Sequence, residues 1–366
     1  MKLKKIVALV LAVLMLVSLG ACSSTPASNT PTSNNPAEKP YIAVISKGFQ
    51  HQFWQVVKKG AEAAAADLGV EITFEGPPTE SDIAIQVDML KAAMNKKPAA
   101  IALAALSTDS VMEQLNECKN NGIPVVGFDS GVPNAPAGSI YATASTDNAA
   151  AAAVAAENLF GNAAFTAALN SATADAPIIL GVLSQDATSE SIISRTSGFI
   201  DKLVELCGTD NVAITGHDKY AKANANAKLK IIVNVPATTA AADMKTGAES
   251  LLSQSPVAIY GSNENAAGGM LAASNDGNDF NKDNGKYKDI IAIGFDAGKT
   301  QRTAVQNGWF FGSVTQDPYQ IGYKAVALAV DAINGKTAAS AIVDTGAKWY
   351  NSENLSDPMI SDLVYE

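Results

Sequence analysis

Arginine and histidine are nearly absent from this chain of 366 residues, with two of each: Arg195 and Arg302, His51 and His217. Two histidines offer little for general-base chemistry. No Gly-x-Ser-x-Gly elbow, His-Glu-x-x-His pair or phosphate-binding glycine loop occurs either, so an enzyme is not expected. Cysteine is also scarce: Cys22, Cys118 and Cys207. None lies in a metal-ligand spacing, and Cys118 and Cys207 fall in separate parts of the chain, so neither a disulfide nor a metal site is expected. No cofactor is expected. Positive charge is in deficit, with 26 basic against 36 acidic residues, which argues against a nucleic-acid partner. A transcription regulator would need a basic helix-turn-helix amino terminus, and the first residues here have another character.

Those residues read as a secretory leader. Met1 to Lys5 is a basic stretch, Ile6 to Leu19 an apolar one, and Leu19-Gly20-Ala21-Cys22 ends it with small residues before a cysteine. The apolar run is short for a membrane span. Residues 1–21 are therefore expected to be a signal peptide. Residues 22–39, rich in Ser, Thr, Pro, Ala and Asn, are expected to be a flexible tether. Without the three leader lysines the balance is 23 basic to 36 acidic, a net of −13.

Apolar residues make up 47% of the chain, enough to bury substantial cores. Their pattern centres on one motif that occurs twice. Gly127-Phe128-Asp129-Ser130-Gly131 follows the run Ile123 to Val126, and Gly294-Phe295-Asp296-Ala297-Gly298 follows Ile290 to Ile293. Continuous apolar runs of this length read as strands buried on both faces, as in parallel sheets covered by helices. Ligands bind beyond the carboxyl ends of such strands, where Asp129 and Asp296 stand. Two copies point to two similar lobes, each offering a carboxylate to a shared cleft.

Between and around these motifs, strand and helix alternate. Strands are expected at Tyr41–Ser46, Val70–Phe74, Ala99–Ala105, Ser139–Ala142, Ile178–Leu183, Ile231–Val235, Val257–Tyr260 and Phe311–Thr315. Thr108-Asp109-Ser110 is expected to cap one helix, and Thr146-Asp147-Asn148 to open an alanine-rich one. Asn275 to Lys286 reads as an exposed insertion. The expected fold is α/β, with two doubly wound parallel-sheet lobes.

Several residues stand out at the expected strand ends. Phe49, Phe53 and Trp54, with His51, follow the first strand; aromatic faces beside carboxylates suit sugars, whose C–H groups pack on the ring while hydroxyls bond to charged acceptors. Arg195, in the first turns of a helix expected at Ser191–Leu206, offers a rigid fork of donors suited to hydroxyls and carboxylates. Asn263 ends one strand and Gln316 another, with Pro318 placed to start the following helix.

Taken in order, Phe53-Trp54, Gly127-Phe128-Asp129, Thr146-Asp147-Asn148, Arg195-x-x-Gly198-Phe199, Asn263, Gly294-Phe295-Asp296 and Gln316 resemble the periplasmic sugar-binding proteins of ABC transporters, of the ribose-binding, type I kind. The resemblance runs from about Lys39 to the end. It implies two lobes joined by three crossing segments: residues 40–146 with 317–344, and 147–316 with 345–366. It implies that Phe53 and Trp54 sandwich a sugar ring, and that Asp129, Arg195, Asn263, Asp296 and Gln316 bond its hydroxyls. His51 stands where the family has an asparagine. There are two departures. Ser130, which with His51 is expected to join the ligand-binding residues, replaces the arginine that follows the first aspartate in ribose binders, and no aromatic stands near Thr239.

Leu-x-x-Cys resembles a bacterial lipobox, which implies cleavage before Cys22 and lipid attachment to its thiol. The implied protein is a monomer outside the cytoplasm, anchored to the membrane by that lipid, which captures a monosaccharide and delivers it to an ABC transporter permease. The stretch Phe74 to Glu80 also resembles binding proteins for rhamnose and for a furanosyl signal. A receptor for a furanosyl signal or a polyol therefore stands as the alternative.

Overall fold

The computed structural model of the protein describes residues 39–49 and 51–365. The expected leader, Cys22 and all of the expected tether but Lys39 lie outside the described residues. From Lys39 onward the chain forms one compact body, built on two sheets.

The first sheet contains β1 (Tyr41–Ile45), β2 (Glu71–Glu75), β3 (Ala100–Leu103), β4 (Val125–Phe128) and β5 (Thr143–Ser145), in the order β2-β1-β3-β4-β5 and all parallel. The second contains β6 (Ile178–Leu183), β7 (Val212–Thr215), β8 (Leu229–Asn234), β9 (Ala258–Gly261), β10 (Ile291–Phe295) and β11 (Gly312–Gln316). Its order is β7-β8-β6-β9-β10-β11, again parallel. Setting aside the edge strand β7, the second sheet repeats the winding of the first. The two aspartate motifs thus end the same strand of the repeat, β4 and β10. Near its end the chain adds β12 (Ile342–Asp344) parallel to β5, then β13 (Ala347–Tyr350) antiparallel to β11. It passes between the sheets three times, after β5, after β11 and after β12.

Helices cover both faces, which is why β3 and β4 are buried along their whole length. The helices are α1 (Gln52–Leu68), α2 (Ile83–Asn95), α3 (Met112–Asn120), α4 (Asn148–Gly161), α5 (Ala163–Ser171) and α6 (Glu190–Cys207), then α7 (Ala241–Leu252), α8 (Glu264–Ala272), α9 (Lys299–Gln306), α10 (Pro318–Ile333) and α11 (Pro358–Ser361). In α1, Phe53, Trp54, Val57, Ala61 and Ala64 form the buried face. That face rests on α10, where a Cβ on Gly322 would stand 1.9 Å from the Val57 carbonyl oxygen. The second lobe has the same device: a Cβ on Gly198 of α6 would stand 2.4 Å from the Ala149 carbonyl oxygen of α4. Only glycine permits these approaches. Gly198, singled out in sequence beside Arg195, therefore sets how closely Arg195's helix lies on α4.

Some expected elements shift. The strand expected at Ser139–Ala142 forms instead at Thr143–Ser145. Tyr141 donates its N–H to the Val125 carbonyl (2.8 Å), but continuous pairing with β4 begins only at Gly127 opposite Thr143. Thr108-Asp109-Ser110 does not cap α3, which starts at Met112 with no side-chain cap. Thr108 instead donates its N–H across the lobes to the Thr188 carbonyl (3.2 Å). The insertion at Asn275–Lys286 is anchored: Phe280 is fully buried, edge-on to Phe310 with centroids 5.9 Å apart. Trp309 packs over Gly277, and Trp349 over Gly312 beside Phe311. Cys118 on α3 and Cys207 on α6 are both free and buried. Among the described residues no helix is long and apolar enough to cross a membrane.

Candidate functional site

The carboxyl ends of both sheets face one cleft. Lys47 follows β1, Asp129 follows β4, Gln185 follows β6, Asn263 follows β9, Asp296 follows β10, and Gln316 ends β11. The two aspartates share an unusual backbone. Asp129 has φ 54° and Asp296 φ 78°, both left-handed, a conformation that costs a non-glycine residue about 1 kcal/mol or more. Neighbouring strands fix it the same way in each lobe. Asp129 donates its N–H to the Ala144 carbonyl of β5 (2.9 Å), and Asp296 to the Val314 carbonyl of β11 (2.6 Å). The aspartate carbonyls accept from Ser145 (2.7 Å) and Ser313 (2.9 Å) on those same strands. The repeat seen in sequence is thus a repeat of geometry that aims a carboxylate into the cleft.

Arg195 spans both. Its Nη2 lies 4.0 Å from Asp129 Oδ1 and its Nη1 3.5 Å from Asp296 Oδ2. Its Nε donates to Asn148 Oδ1 (2.8 Å), and the guanidinium lies 4.0 Å from the centre of the Phe295 ring. Asp147 accepts from the Ala150 N–H at the start of α4, which leaves Asn148, the next residue, to orient the arginine. Gln316 Nε2 donates to Asp296 Oδ1 (2.6 Å). Asn263 caps α8 by accepting from the Ala266 N–H (3.0 Å), while its Nδ2 donates to Gln185 Oε1 (2.7 Å).

Sequence reasoning missed a second buried charge cluster. Lys47 Nζ is 3.2 Å from Asp129 Oδ2 and 3.9 Å from Glu80 Oε2, and it donates to Ser191 Oγ (3.0 Å). Burial lowers the Lys47 pKa, but Asp129, Glu80 and Asp186 outweigh it and hold the ammonium above its ordinary value. Glu80 accepts from Trp54 Nε1 (2.8 Å) and from Gln185 Nε2 (3.0 Å). Burial raises its pKa, yet Lys47, His51 and those two donors prevail and hold the carboxyl below its ordinary value. Glu264 at the start of α8 differs. Burial, then the Asp296 charge, push its carboxyl up to about 8, against the smaller opposing pull of the Phe53 and Gln52 backbone N–H groups at the start of α1. Lys47 and Gln185 were discoverable, since each follows the end of an inner strand by two residues. Glu80 lies five residues past β2; it falls in the stretch Phe74 to Glu80 that resembles other binding proteins, but no strand-end position marks it as reaching the cleft.

Lys47, His51, Phe53, Trp54, Glu80, Asp129, Ile192, Arg195, Asn263, Glu264, Asp296 and Gln316 enclose a cavity of about 20 Å³. It holds eight of the nine residues expected from sequence to bind ligand. Ser130 is not brought to it: fully buried, it accepts from the Ser191 N–H (3.3 Å). The expected sandwich of a ring between Phe53 and Trp54 is not what the geometry offers. Their rings meet edge to face, 5.0 Å apart at 85°, because consecutive helical residues project in divergent directions. Trp54 instead packs edge-on to Phe128, and Phe53 on Tyr365.

Three side-chain atoms around this cavity are buried without a hydrogen-bond partner, His51 Nε2, Glu264 Oε2 and Gln316 Oε1, and a fourth, Asp129 Oδ2, has only the Lys47 ammonium at 3.2 Å. With Asp129 Oδ2 counted, nine such atoms occur among the described residues, so nearly half converge on one small space. Buried polar atoms are ordinarily paired. This cluster has the chemistry to bond several hydroxyls of one ligand. A larger groove of about 630 Å³ beside the lobe crossings is walled chiefly by groups such as Val132, Pro136, Ile140 and Ile342, without such convergence. Among the described residues no cluster of His, Cys, Asp and Glu is arranged to hold a metal ion.

Residues 42–337 match the family described as the periplasmic binding protein domain. The D-allose-binding periplasmic protein of Escherichia coli is 25% identical over 79% of this chain and 83% of its own length. A solved structure from Brachyspira murdochii, described as an ABC transporter, LacI family transcriptional regulator, is 42% identical with a TM-score of 0.75; the match covers 90% of this chain and 99% of that one. An ABC transporter solute-binding protein from Agrobacterium vitis, solved with bound D-fucose, is 28% identical with a TM-score of 0.72, over 89% of this chain and 100% of that one. With a family match across most of its length and the twofold parallel-sheet architecture described above, the chain belongs to the periplasmic binding protein family, in its type I fold.

Proposed function

We propose that the cleft captures a monosaccharide through Asp129, Arg195, Asn263, Asp296, Gln316 and His51, with Lys47 added to that set and with Trp54 and Phe53 forming an apolar wall. The protein is a sugar-binding, extracytoplasmic solute-binding protein that serves an ABC transporter permease. The lobes divide at 146/147, 316/317 and 344/345. Cys22, outside the described residues, carries a lipid anchor after removal of residues 1–21, and the protein acts as a monomer.

The observation that carries this reading is the convergence of unpartnered buried polar atoms between carboxylates of both lobes. A sugar offers hydroxyls as both donors and acceptors, and a misplaced hydroxyl would leave one of these groups unpaired. The cavity of about 20 Å³ has room for roughly one water. A sugar ring therefore enters only when the lobes part. Because it touches both lobes, it binds the closed form better and shifts the population toward it. The permease reads that change. The test is thermal unfolding of the protein against pentoses, hexoses, deoxy sugars and polyols. At a thousand times its dissociation constant a ligand stabilises by about 4 kcal/mol. A midpoint shift with a sugar, lost in Asp129→Ala and Asp296→Ala, supports the reading. A shift with polyols alone, or with nothing, overturns it.

A further inference from the structure

The turn Thr79-Glu80-Ser81 is where the first lobe grips the second. Asp82 Oδ2 accepts from both the N–H and the hydroxyl of Thr79 (2.9 and 2.8 Å), which fixes the turn. Ser81 Oγ lies 2.9 Å from Thr239 Oγ1 and accepts from the Thr239 N–H (2.7 Å). Thr239, near where the resemblance leads one to expect an aromatic, thus serves a polar clasp between the lobes. Beside it, the Glu80 carboxylate is 95% buried and faces two ways. Oε1 accepts from the indole N–H of Trp54 in the first lobe. Oε2 accepts from the Gln185 amide of the second lobe, whose own oxygen accepts from Asn263.

These bonds form one directed chain. Asn263 donates to Gln185, Gln185 donates to Glu80, and Trp54 donates to Glu80 from the other side. An ionised carboxylate is the side chain that can end two such donations, since it only accepts. Asn263 and Trp54 both line the cavity, so the chain joins cavity walls of opposite lobes through two residues, Gln185 and Glu80.

We propose that Glu80 is a positioning residue that couples lobe closure to the orientation of Trp54: when the lobes meet, Gln185 completes the carboxylate's bonding and locks the indole against the space a sugar occupies. The inference rests on the cleft being the sugar site. Its consequence is kinetic. The coupling forms after encounter, so its loss speeds dissociation far more than it slows association.

Two measurements test it. The first needs no sugar. In a Trp309→Phe/Trp349→Phe background, emission reports Trp54 alone. Gln185→Ala should then shift that emission to longer wavelength and raise its quenching by acrylamide; unchanged emission and quenching overturn the coupling. The second uses D-allose, D-ribose and D-fucose as probes. Glu80→Gln places an amide donor against one of two existing donors, and Gln185→Ala removes the partner. Each should raise the dissociation rate about tenfold, the loss of one charge-assisted hydrogen bond. Association should be nearly unchanged, and the double variant no worse than the worse single one. Additive effects, or effects confined to association, overturn the proposal. Should Glu80→Gln not fold, Gln185→Ala decides alone. If no probe sugar binds the unaltered protein, the sugar that shifts its unfolding midpoint replaces them; if no sugar shifts it, the sugar reading fails, and the emission arm still decides the coupling.

Discussion

The Lys47 ammonium lies 3.2 Å from the Asp129 carboxylate, and both side chains are almost wholly buried. Removing one member of such a pair leaves the other charge stranded, which costs more than the pair contributes. Lys47→Met leaves Asp129 and Glu80 without their shared cation and should destabilise the protein by about 3–5 kcal/mol. Asp129→Asn added to that variant should recover part of the loss. Denaturant midpoints with unchanged slope measure both. Equal and additive losses would show that the pair does not act as a unit.

Arg195 forks between Asp129 and Asp296 over the Phe295 ring. A lysine cannot reach both carboxylates or lie flat on that ring. Arg195→Lys should weaken sugar binding by about 100-fold, the worth of two charge-assisted bonds. Titration calorimetry with whichever sugar shifts the unfolding midpoint measures it. A variant within threefold of the parent would remove Arg195 from the site.

Glu264 gives stability a pH dependence of definite sign. Folded, it holds its proton up to about pH 8; unfolded, only to its ordinary value of 4.5. Folding takes up a proton between those values, so this group's contribution is fully present below about 4.5 and lost as pH rises through 8. The unfolding temperature should fall across that window, and Glu264→Gln should flatten the fall. Parallel curves for parent and variant would exclude Glu264 as the source.

Gly198 should tolerate no side chain. A Cβ there meets the Ala149 carbonyl of α4, so Gly198→Ala must push α6 outward and displace Arg195 with it. We expect about 1–3 kcal/mol of destabilisation from overpacking, together with weaker sugar binding. Gly161→Ala, where a Cβ meets nothing within 4 Å, serves as the control in the same urea titration.

Much of the fold could be read along the chain because it is written in local pattern. Buried parallel strands are apolar throughout, and amphipathic helices between them leave few windings open. The motifs at Asp129 and Asp296 were legible as a pair because both end apolar runs. The pairing of β4 and β10 as the same strand of two like windings adds what sequence cannot state: each aspartate takes a left-handed backbone held by a serine from the next strand.

Sequence by itself determined that Asp129, Asn263, Asp296 and Gln316 stand at strand ends, and it singled out His51, Phe53, Trp54 and Arg195 as their companions around the cavity. Only the tertiary structure decided how those groups use one another. Glu80 reaches the cleft from a turn beyond the end of its strand, Ser130 accepts from the Ser191 N–H instead of lining the cavity, and Phe53 and Trp54 meet edge to face rather than across a ring. The reason is physical. Strand and helix are fixed by contacts a few residues apart, whereas the partners of a buried charge are chosen across more than a hundred residues, as Lys47 and Glu80 are by Ser191 and Gln185.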